Sequence, residues 1–225
     1  LLEIIVWVDC CFIIMQLDIK EQSLILEGKK YSRKELMSLS ANATGDNTSS
    51  FLLDLYRFLA DWFSDSPFMT VHTSGSTGTP KVLTVRKEQM MQSARMTCEF
   101  LNLHTGDTAL LCMPLQYIAG KMMVVRALVA GLNLILRTPS GHPLADVTVP
   151  LRFVAMVPLQ VFNTLQVLRE KERLCHTDIL IIGGGAIDAA LENEIRLLPG
   201  EIYSTYGMTE TLSHIALRRL NGSSA

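Results

Sequence analysis

The chain has 225 residues, 48% of them hydrophobic and 19% charged, a composition that indicates a core-forming protein and excludes disorder, collagen and low-complexity repeats. Its 20 basic and 22 acidic residues give a formal net charge of −2, so composition offers no support for nucleic-acid binding. The five cysteines lack any C-x-x-C pair. Their odd number and irregular spacing favour reduced thiols in a cytoplasmic protein over disulfides or a zinc site.

The first 17 residues are apolar apart from Glu3, Asp9 and Gln16. No basic region precedes them, as a secretory signal would require. An acid at the centre of a membrane helix costs about 3 kcal/mol, and the uninterrupted apolar runs are far shorter than the ~18 residues of a membrane span. We therefore expect no transmembrane segment, with a buried strand as the ordinary alternative. Because the first methionine is Met15, we expect residues 1–14 to be non-native or the sequence to be a fragment.

Beyond a polar loop at 41–50, apolar residues at helical spacing predict a helix over 51–63, which Pro67 ends. Short apolar runs then alternate with helical patterns, which favours an α/β fold with a mostly parallel sheet flanked by helices. Ligands of such sheets bind at the carboxyl ends of the strands. The predicted strands are 68–71, 108–113, 132–136, 153–157, 179–182 and 202–205, and the predicted helices are 86–101, 118–130, 159–168 and 188–198.

The segment 73–81 reads TSGSTGTPK and follows a predicted strand. Its glycines let backbone N–H groups approach an anion closely, its hydroxyls add donors, and Lys81 adds a positive charge. This is chemistry for a polyphosphate, although the segment is not a Walker A loop, which needs G-x-x-x-x-G-K-[ST]. A Gly/Ser/Thr surface turn is the ordinary alternative, and the length of the string argues against it.

A second glycine segment, GGGA at 183–186, follows the apolar run 179–182. A dinucleotide-binding G-x-G-x-x-G motif does not fit, because its third glycine position holds Asp188. Taken alone, the segment is a strand-to-helix turn.

The segment 206–210 reads YGMTE. Tyr206 offers a flat face for stacking, Gly207 allows a tight turn, and Thr209 can donate a hydroxyl to phosphate. Glu210 is a hard oxygen ligand of the kind that Mg²⁺ takes, together with substrate phosphates. In isolation, a Tyr-Gly turn followed by a helix-capping threonine is an equally simple explanation.

In this order, the three segments resemble the motifs of the acyl-adenylate-forming (AMP-forming) ligases, which include acyl-CoA synthetases, luciferases and peptide-synthetase adenylation domains. The resemblance covers roughly residues 68–220. It implies the large N-terminal core of that fold, with a short N-terminal segment at 1–66 and a truncated AMP-binding core at 67–225. Nothing after Glu210 matches the later motifs or the small C-terminal domain that carries a catalytic lysine. We therefore expect feeble or no adenylation by this chain alone.

The family reaction implies that a carboxylate attacks the α-phosphate of ATP, and that the thiol of CoA then displaces AMP from the acyl-adenylate. ATP, Mg²⁺ and CoA are the expected cofactors and a small-molecule carboxylate the expected substrate, with the oligomeric state left open. By resemblance Lys81, Thr209 and Glu210 are catalytic, and Glu210 also holds the metal. The residues expected to bind nucleotide are Thr73, Ser74, Gly75, Ser76, Thr77, Gly78, Gly184, Gly185, Ala186, Tyr206 and Gly207.

The segment 113–128 departs from the usual P-L-F-H of the family, because Gln116 and Tyr117 replace the Phe-His pair. This argues against a standard fatty-acyl or acetyl pocket. Arg126, six residues after Gly120, resembles an arginine of the o-succinylbenzoate–CoA ligases of menaquinone synthesis, where it helps to hold a substrate carboxylate. A solvated helix residue is an equally weighted alternative.

The segment 206–221 also looks like that subfamily. The resemblance places four residues near the acyl group, with His214 either a general base or, preferably, a polar wall of the pocket. Another aryl- or acyl-CoA ligase, a nucleotide-binding module without turnover and a fragment too short to fold stay open as alternatives. The four substrate-binding residues are Tyr117, Arg126, Ser213 and His214.

Overall fold

The computed structural model describes residues 18–43, 49–72 and 81–222. The expectations for residues 1–17, and for Thr73, Ser74, Gly75, Ser76, Thr77 and Gly78 in the phosphate loop, therefore lie outside the described residues.

The described chain alternates strands and helices for most of its length. The strands are β1 (Ser23–Leu26), β2 (Lys29–Ser32), β3 (Phe68–His72), β4 (Val82–Arg86), β5 (Thr108–Leu111), β6 (Asn133–Leu136), β7 (Leu151–Met156), β8 (Thr177–Ile182), β9 (Glu201–Gly207) and β10 (His214–Arg219). The helices are α1 (Arg33–Asn42), α2 (Ser50–Trp62), α3 (Lys87–Phe100), α4 (Ile118–Ala130), α5 (Pro158–Gln166), α6 (Leu168–Cys175) and α7 (Ala189–Ile195). Two short 3₁₀ helices lie at Ile19–Glu21 and Thr209–Thr211.

Eight strands form one sheet in the order β10-β9-β8-β7-β5-β6-β1-β2, and β3 pairs with β4 in a separate hairpin. The six strands from β9 to β1 run parallel, and the outermost pairs, β9 with β10 and β1 with β2, are antiparallel. This confirms the predicted α/β class with a mostly parallel sheet. Because β1 pairs with β6, the N-terminal segment before residue 67 shares the main sheet with the rest of the chain.

The sequence explains why these elements form. In β8 the run 179–182 is entirely buried, as expected for a parallel strand with both faces covered. Helix α2 buries one apolar stripe that includes Leu55, Leu59 and Trp62, each with no exposed surface. Helix α4 ends at Ala130 because Gly131 takes the left-handed conformation, with φ of 70°.

Several predicted boundaries were wrong. The helix predicted over 159–168 is two helices, because Val167 is extended, with φ −114° and ψ 112°, between α5 and α6. The helix predicted from Asp188 begins at Ala189, since the Asp188 carboxylate caps it by accepting from the N–H of Leu191 at 2.8 Å. No helix within the described ranges is long and apolar enough to cross a bilayer.

Candidate active site

Two of the sequence segments come together at one edge of the sheet. Strands β8 and β9 are parallel neighbours, with Ile182 beside Ser204, so GGGA at 183–186 and YGMTE at 206–210 emerge side by side. We call these two segments the nucleotide edge. Strand β3 leads into the phosphate loop, and its last residue, His72, forms an isolated parallel bridge with Tyr117 immediately before α4. Lys81 lies directly before β4.

Two glycines of 183–186 are constrained, Gly183 by contact and Gly184 by conformation. Gly183 donates its N–H to the Met156 carbonyl at 3.0 Å, and a Cβ on it would lie 2.3 Å from Thr205 Oγ1. Gly184 has φ of +79°, a region that disfavours side chains. Gly184, Gly185 and Ala186 are exposed. Their backbone can therefore receive a flat ligand at close range.

Tyr206 and Gly207 form the end of β9. The Tyr206 side chain is 65% exposed, which leaves its ring available for stacking. A Cβ on Gly207 would lie 2.3 Å from the Ser213 carbonyl oxygen and 2.5 Å from His214 Cα. The sequence pointed to a tight turn at Gly207, whereas the structure shows a close approach of β10 to β9 as the reason for glycine.

Thr209 and Glu210 lie in the 3₁₀ helix that follows β9. The Thr211 hydroxyl stabilises this turn, since Oγ1 accepts from the Met208 N–H at 2.9 Å and lies 2.7 Å from the Ser213 carbonyl. The Glu210 side chain is exposed and its carboxylate makes no bond to other described residues. No cluster of three or more metal-ligating residues occurs in the described ranges. A Mg²⁺ held by Glu210 would therefore take its other oxygens from substrate phosphates and water, as this ion commonly does.

Arg126 is only 2% exposed, which excludes the solvated alternative. Its Nη2 donates to Ser213 Oγ at 2.7 Å and its Nη1 to the Met123 thioether at 3.6 Å, while Nε has no partner in the part of the chain that the structure describes. Among the described residues, no ion pair includes Arg126. Burial lowers the pKa of Arg126 to about 10, so the guanidinium is still charged at pH 7. A buried cation without a counter-ion is costly, and an anionic ligand would relieve that cost.

The partly buried His214 lies next to this arginine. Its Nε2 is 3.2 Å from Thr97 Oγ1 and its Nδ1 is 3.4 Å from Ser213 Oγ. Burial, and secondarily the charge of Arg126, lowers the pKa of His214 to about 3. The imidazole is therefore neutral at pH 7 with both nitrogens engaged, which fits a polar wall better than a general base.

We call Arg126, Ser213, His214 and Thr97 the acyl-side network. The sequence analysis predicted the first three as substrate-binding residues by resemblance to a subfamily, and it missed Thr97. Thr97 is 2% exposed in the last turn of α3, and only its burial, which the sequence does not reveal, distinguishes it from an ordinary helical threonine.

Three of the five cysteines lie in the described part of the chain, and Cys98, Cys112 and Cys175 are all free thiols there. Burial raises the pKa of Cys98 to about 11 and that of Cys112 to about 12, so both are inert at neutral pH.

A mostly parallel sheet with glycine-containing segments at the carboxyl ends of its strands is typical of α/β proteins that bind nucleotides. Residues 9–224 match the family model described as AMP-binding enzyme, and the chain belongs to this family. The chain is 29% identical over 168 residues to 2-succinylbenzoate–CoA ligase of Haemophilus influenzae, an alignment that covers 74% of this chain and 36% of the relative. The enzyme of the same name from Enterococcus faecalis is 31% identical over 152 residues, covering 64% and 30%. The chain thus spans about a third of these curated relatives.

Solved structures agree on the fold. An acyl-CoA synthetase (AMP-forming)/AMP-acid ligase II-like protein from Dyadobacter fermentans superposes with a TM-score of 0.75 at 36% identity, covering 84% of this chain and 54% of that one. The o-succinylbenzoate coenzyme A synthetase of Bacillus subtilis, solved with ATP and magnesium ion, gives a TM-score of 0.64 at 17% identity over 91% of this chain and 60% of that one. At that identity the second likeness shows the fold alone.

Proposed function

We propose that this chain forms the adenylating core of an AMP-forming acid–CoA ligase whose substrate is 2-succinylbenzoate. The observation that carries the proposal is Arg126, a buried guanidinium without a counter-anion in the described residues, on helix α4, which begins just after the bridge between Tyr117 and His72. A substrate with a second carboxylate supplies the missing anion through a charge-assisted pair. The curated relatives that carry this ligase name support the choice of acid.

The nucleotide edge would serve the first half-reaction. A carboxylate is a weak nucleophile and must approach another anion, so catalysis consists mainly of charge neutralisation and positioning. Lys81 and the loop 73–78 would hold the β- and γ-phosphates, Thr209 the α-phosphate, and Glu210 the Mg²⁺ that spreads the phosphate charge. Tyr206 would stack on adenine beside the exposed backbone of 184–186. The thiol of CoA would then attack the acyl-adenylate.

The acyl side would select the acid. Arg126 has donors left for a carboxylate, since Nε is unpartnered and the thioether on Nη1 is a weak acceptor. Tyr117, which is 39% exposed at the start of α4, would line the entrance. Free thiols in the described chain fit a cytoplasmic location.

Thermal melts of the 225-residue chain test the nucleotide half. A ligand that binds only the folded state raises the melting temperature. We expect MgATP to raise it and Glu210→Gln to remove most of the rise, with the exposed Glu88→Gln as a matched control. A well-folded chain that MgATP does not stabilise would refute the proposed nucleotide site.

Calorimetric titrations test the acid. 2-Succinylbenzoate is compared with two monoacids, 4-oxo-4-phenylbutanoate and 2-butanoylbenzoate, each of which lacks one of its carboxylates. Arg126→Met should weaken the dianion at least about tenfold and leave one of the monoacids unchanged, because a charged hydrogen-bonded pair contributes about 1.5–3 kcal/mol. Equal losses for all three acids would argue against recognition of a second carboxylate.

One observation favours a second candidate, another aryl- or acyl-CoA ligase. Gln116 and Tyr117 replace the usual Phe-His pair, and Tyr117 is partly exposed where it can contact an acyl group. The same titrations, extended to benzoate and medium-chain fatty acids, separate the two: tighter binding of any monoacid than of 2-succinylbenzoate would favour this alternative.

A further inference from the structure

We propose that Thr97 is a positioning residue for the acyl side: it selects the Nε2–H tautomer of His214, which orients the Ser213 hydroxyl and thereby holds the guanidinium of Arg126 in place. The chain of contacts is continuous from α3 to α4 through the first residue of β10. Its consequence for ligand binding rests on the proposed function, whereas the tautomer itself does not.

The direction of the chain follows from its two ends. Arg126 has only donors, so Ser213 Oγ must accept from Nη2 at 2.7 Å. At the other end, Thr97 Oγ1 donates its one hydrogen to the Ser93 carbonyl, one helical turn earlier, at 3.0 Å. Thr97 can then only accept from His214, which places the imidazole hydrogen on Nε2.

A neutral imidazole with hydrogen on Nε2 has a lone pair on Nδ1. That lone pair faces Ser213 Oγ at 3.4 Å and can accept its hydrogen. The contact between Ser213 Oγ and His214 Nδ1 is the longest and weakest of the series. The direction of this hydrogen bond is therefore set by Thr97, on the other side of the ring. In this arrangement every hydrogen of the hydroxyls and the ring has an acceptor, and Ser213 presents its oxygen to Arg126.

The opposite direction is poorer. If His214 carried its hydrogen on Nδ1, Ser213 Oγ would receive two donors, and Thr97 would have to leave the Ser93 carbonyl to donate to Nε2. The hydroxyl of Ser213 would also point away from the ring toward the acyl side. Ser213 Oγ accepts from Arg126 in both forms, and the tautomer decides whether the hydroxyl hydrogen of Ser213 is held by Nδ1, which orients the oxygen toward Arg126, or is directed away from the ring.

Nitrogen-15 NMR of the histidine-labelled 225-residue chain tests this at pH 7. We expect the imidazole of His214 to be neutral, with hydrogen on Nε2 and none on Nδ1. Its signals are identified as those lost in His214→Gln. Thr97→Val removes the acceptor and should convert this ring to a mixture or to the Nδ1–H form, while Thr97→Ser should keep Nε2–H. A wild-type ring that is charged or carries hydrogen on Nδ1, or a tautomer unmoved by Thr97→Val, would overturn the proposal.

Ser213→Ala supplies the reverse test should Thr97→Val fail to fold, as monitored by circular dichroism. Because Thr97 sets the tautomer, the His214 ring should remain Nε2–H without Ser213, and a change there would contradict the proposed direction. For binding, Thr97→Val should weaken 2-succinylbenzoate about threefold to tenfold, the worth of one hydrogen bond, with Thr97→Ser restoring it and MgATP affinity unchanged. If wild-type chain binds no 2-succinylbenzoate, the proposed function fails while the tautomer result still stands.

Discussion

The nucleotide edge and the acyl-side network solve different problems of recognition. The nucleotide edge is exposed and consists of glycine backbone, an exposed tyrosine ring and the Glu210 carboxylate, which has no partner among the described residues. The acyl-side network is buried and depends on four side chains from α3, α4 and the start of β10 that bond one another. The nucleotide edge consists of contiguous sequence motifs, whereas the residues of the acyl-side network are distant in sequence. The first region can therefore be predicted from the sequence, and the contacts of the second can be identified only from the packed structure.

Gly207→Ala should have the largest effect, because Gly207 joins the two regions. The new methyl would lie 2.3 Å from a backbone oxygen, so β9 and β10 must separate. We expect a loss of about 3 kcal/mol in unfolding free energy, at the upper end for overpacking, together with loss of MgATP binding. Urea denaturation and thermal melts measure both.

Gly185→Ala is the matched control for the loss of unfolding free energy, and not for MgATP binding, because Gly185 lies in the proposed adenine site. A methyl there would meet only Pro158, at 3.6 Å, an ordinary contact. A similar loss in both variants would mean that glycine matters at the nucleotide edge for chain flexibility and not for close packing.

Arg126→Met should stabilise the free chain while it weakens the binding of a dianion. Replacing a buried charge with an apolar side chain of similar length removes its desolvation cost, which is worth about 1–4 kcal/mol for buried charged groups. Chemical denaturation without ligand measures this gain. A destabilised Arg126→Met chain would mean that the charge has a partner that stabilises the fold, and the contrast with the exposed nucleotide edge would weaken.

Acidification should destabilise the chain through His214. The pKa of His214 in the fold, about 3, lies below the ordinary histidine value of 6.5, so the unfolded state binds more protons between these values and stability falls as pH falls. Denaturation at pH 7, 6 and 5 should show a loss of roughly 1–2 kcal/mol that His214→Gln reduces.

The exposed His104→Gln should leave that pH dependence unchanged. Glu192, whose pKa is lowered to about 2 chiefly by its hydrogen bonds to Arg218, loses its stabilising charge only at more acidic pH and does not confuse the comparison. A His214→Gln chain that follows the wild-type pH dependence would show that the histidine is protonated in the fold.

Sequence reasoning reached the alternation of strands and helices along the chain because β8 is a buried apolar run and α4 has a glycine at its end. It missed β2, β4 and β10 because polar residues interrupt them, and β1 because its apolar run is only three residues long. It weighed Arg126 evenly between solvent and pocket, because the hydrophobic residues of α4 surround the helix and give no polar face to which Arg126 could be assigned. The partner of His214 was beyond reach, as Thr97 lies 117 positions away.

Glu192→Gln should have the smallest effect. Its carboxylate accepts from Arg218 at 3.0 and 2.8 Å and from Arg196 at 3.1 Å, which ties α7, just after the glycine segment, to β10, which begins with His214. Both arginines are about half exposed, so solvent screens the pairs and we expect a loss of only about 1 kcal/mol. The more exposed pair of Asp54 with Arg57 is the control, and Asp54→Asn should lower the unfolding free energy by less.

The same variant tests whether the two regions are coupled. Among the described residues, Glu192 connects α7, which follows the glycine segment, to β10, the strand that begins with His214, by an ion pair with Arg218. Weaker binding of both MgATP and 2-succinylbenzoate in Glu192→Gln would show that the two regions are coupled. Unchanged binding of both would show that the Glu192 ion pairs do not couple the two regions.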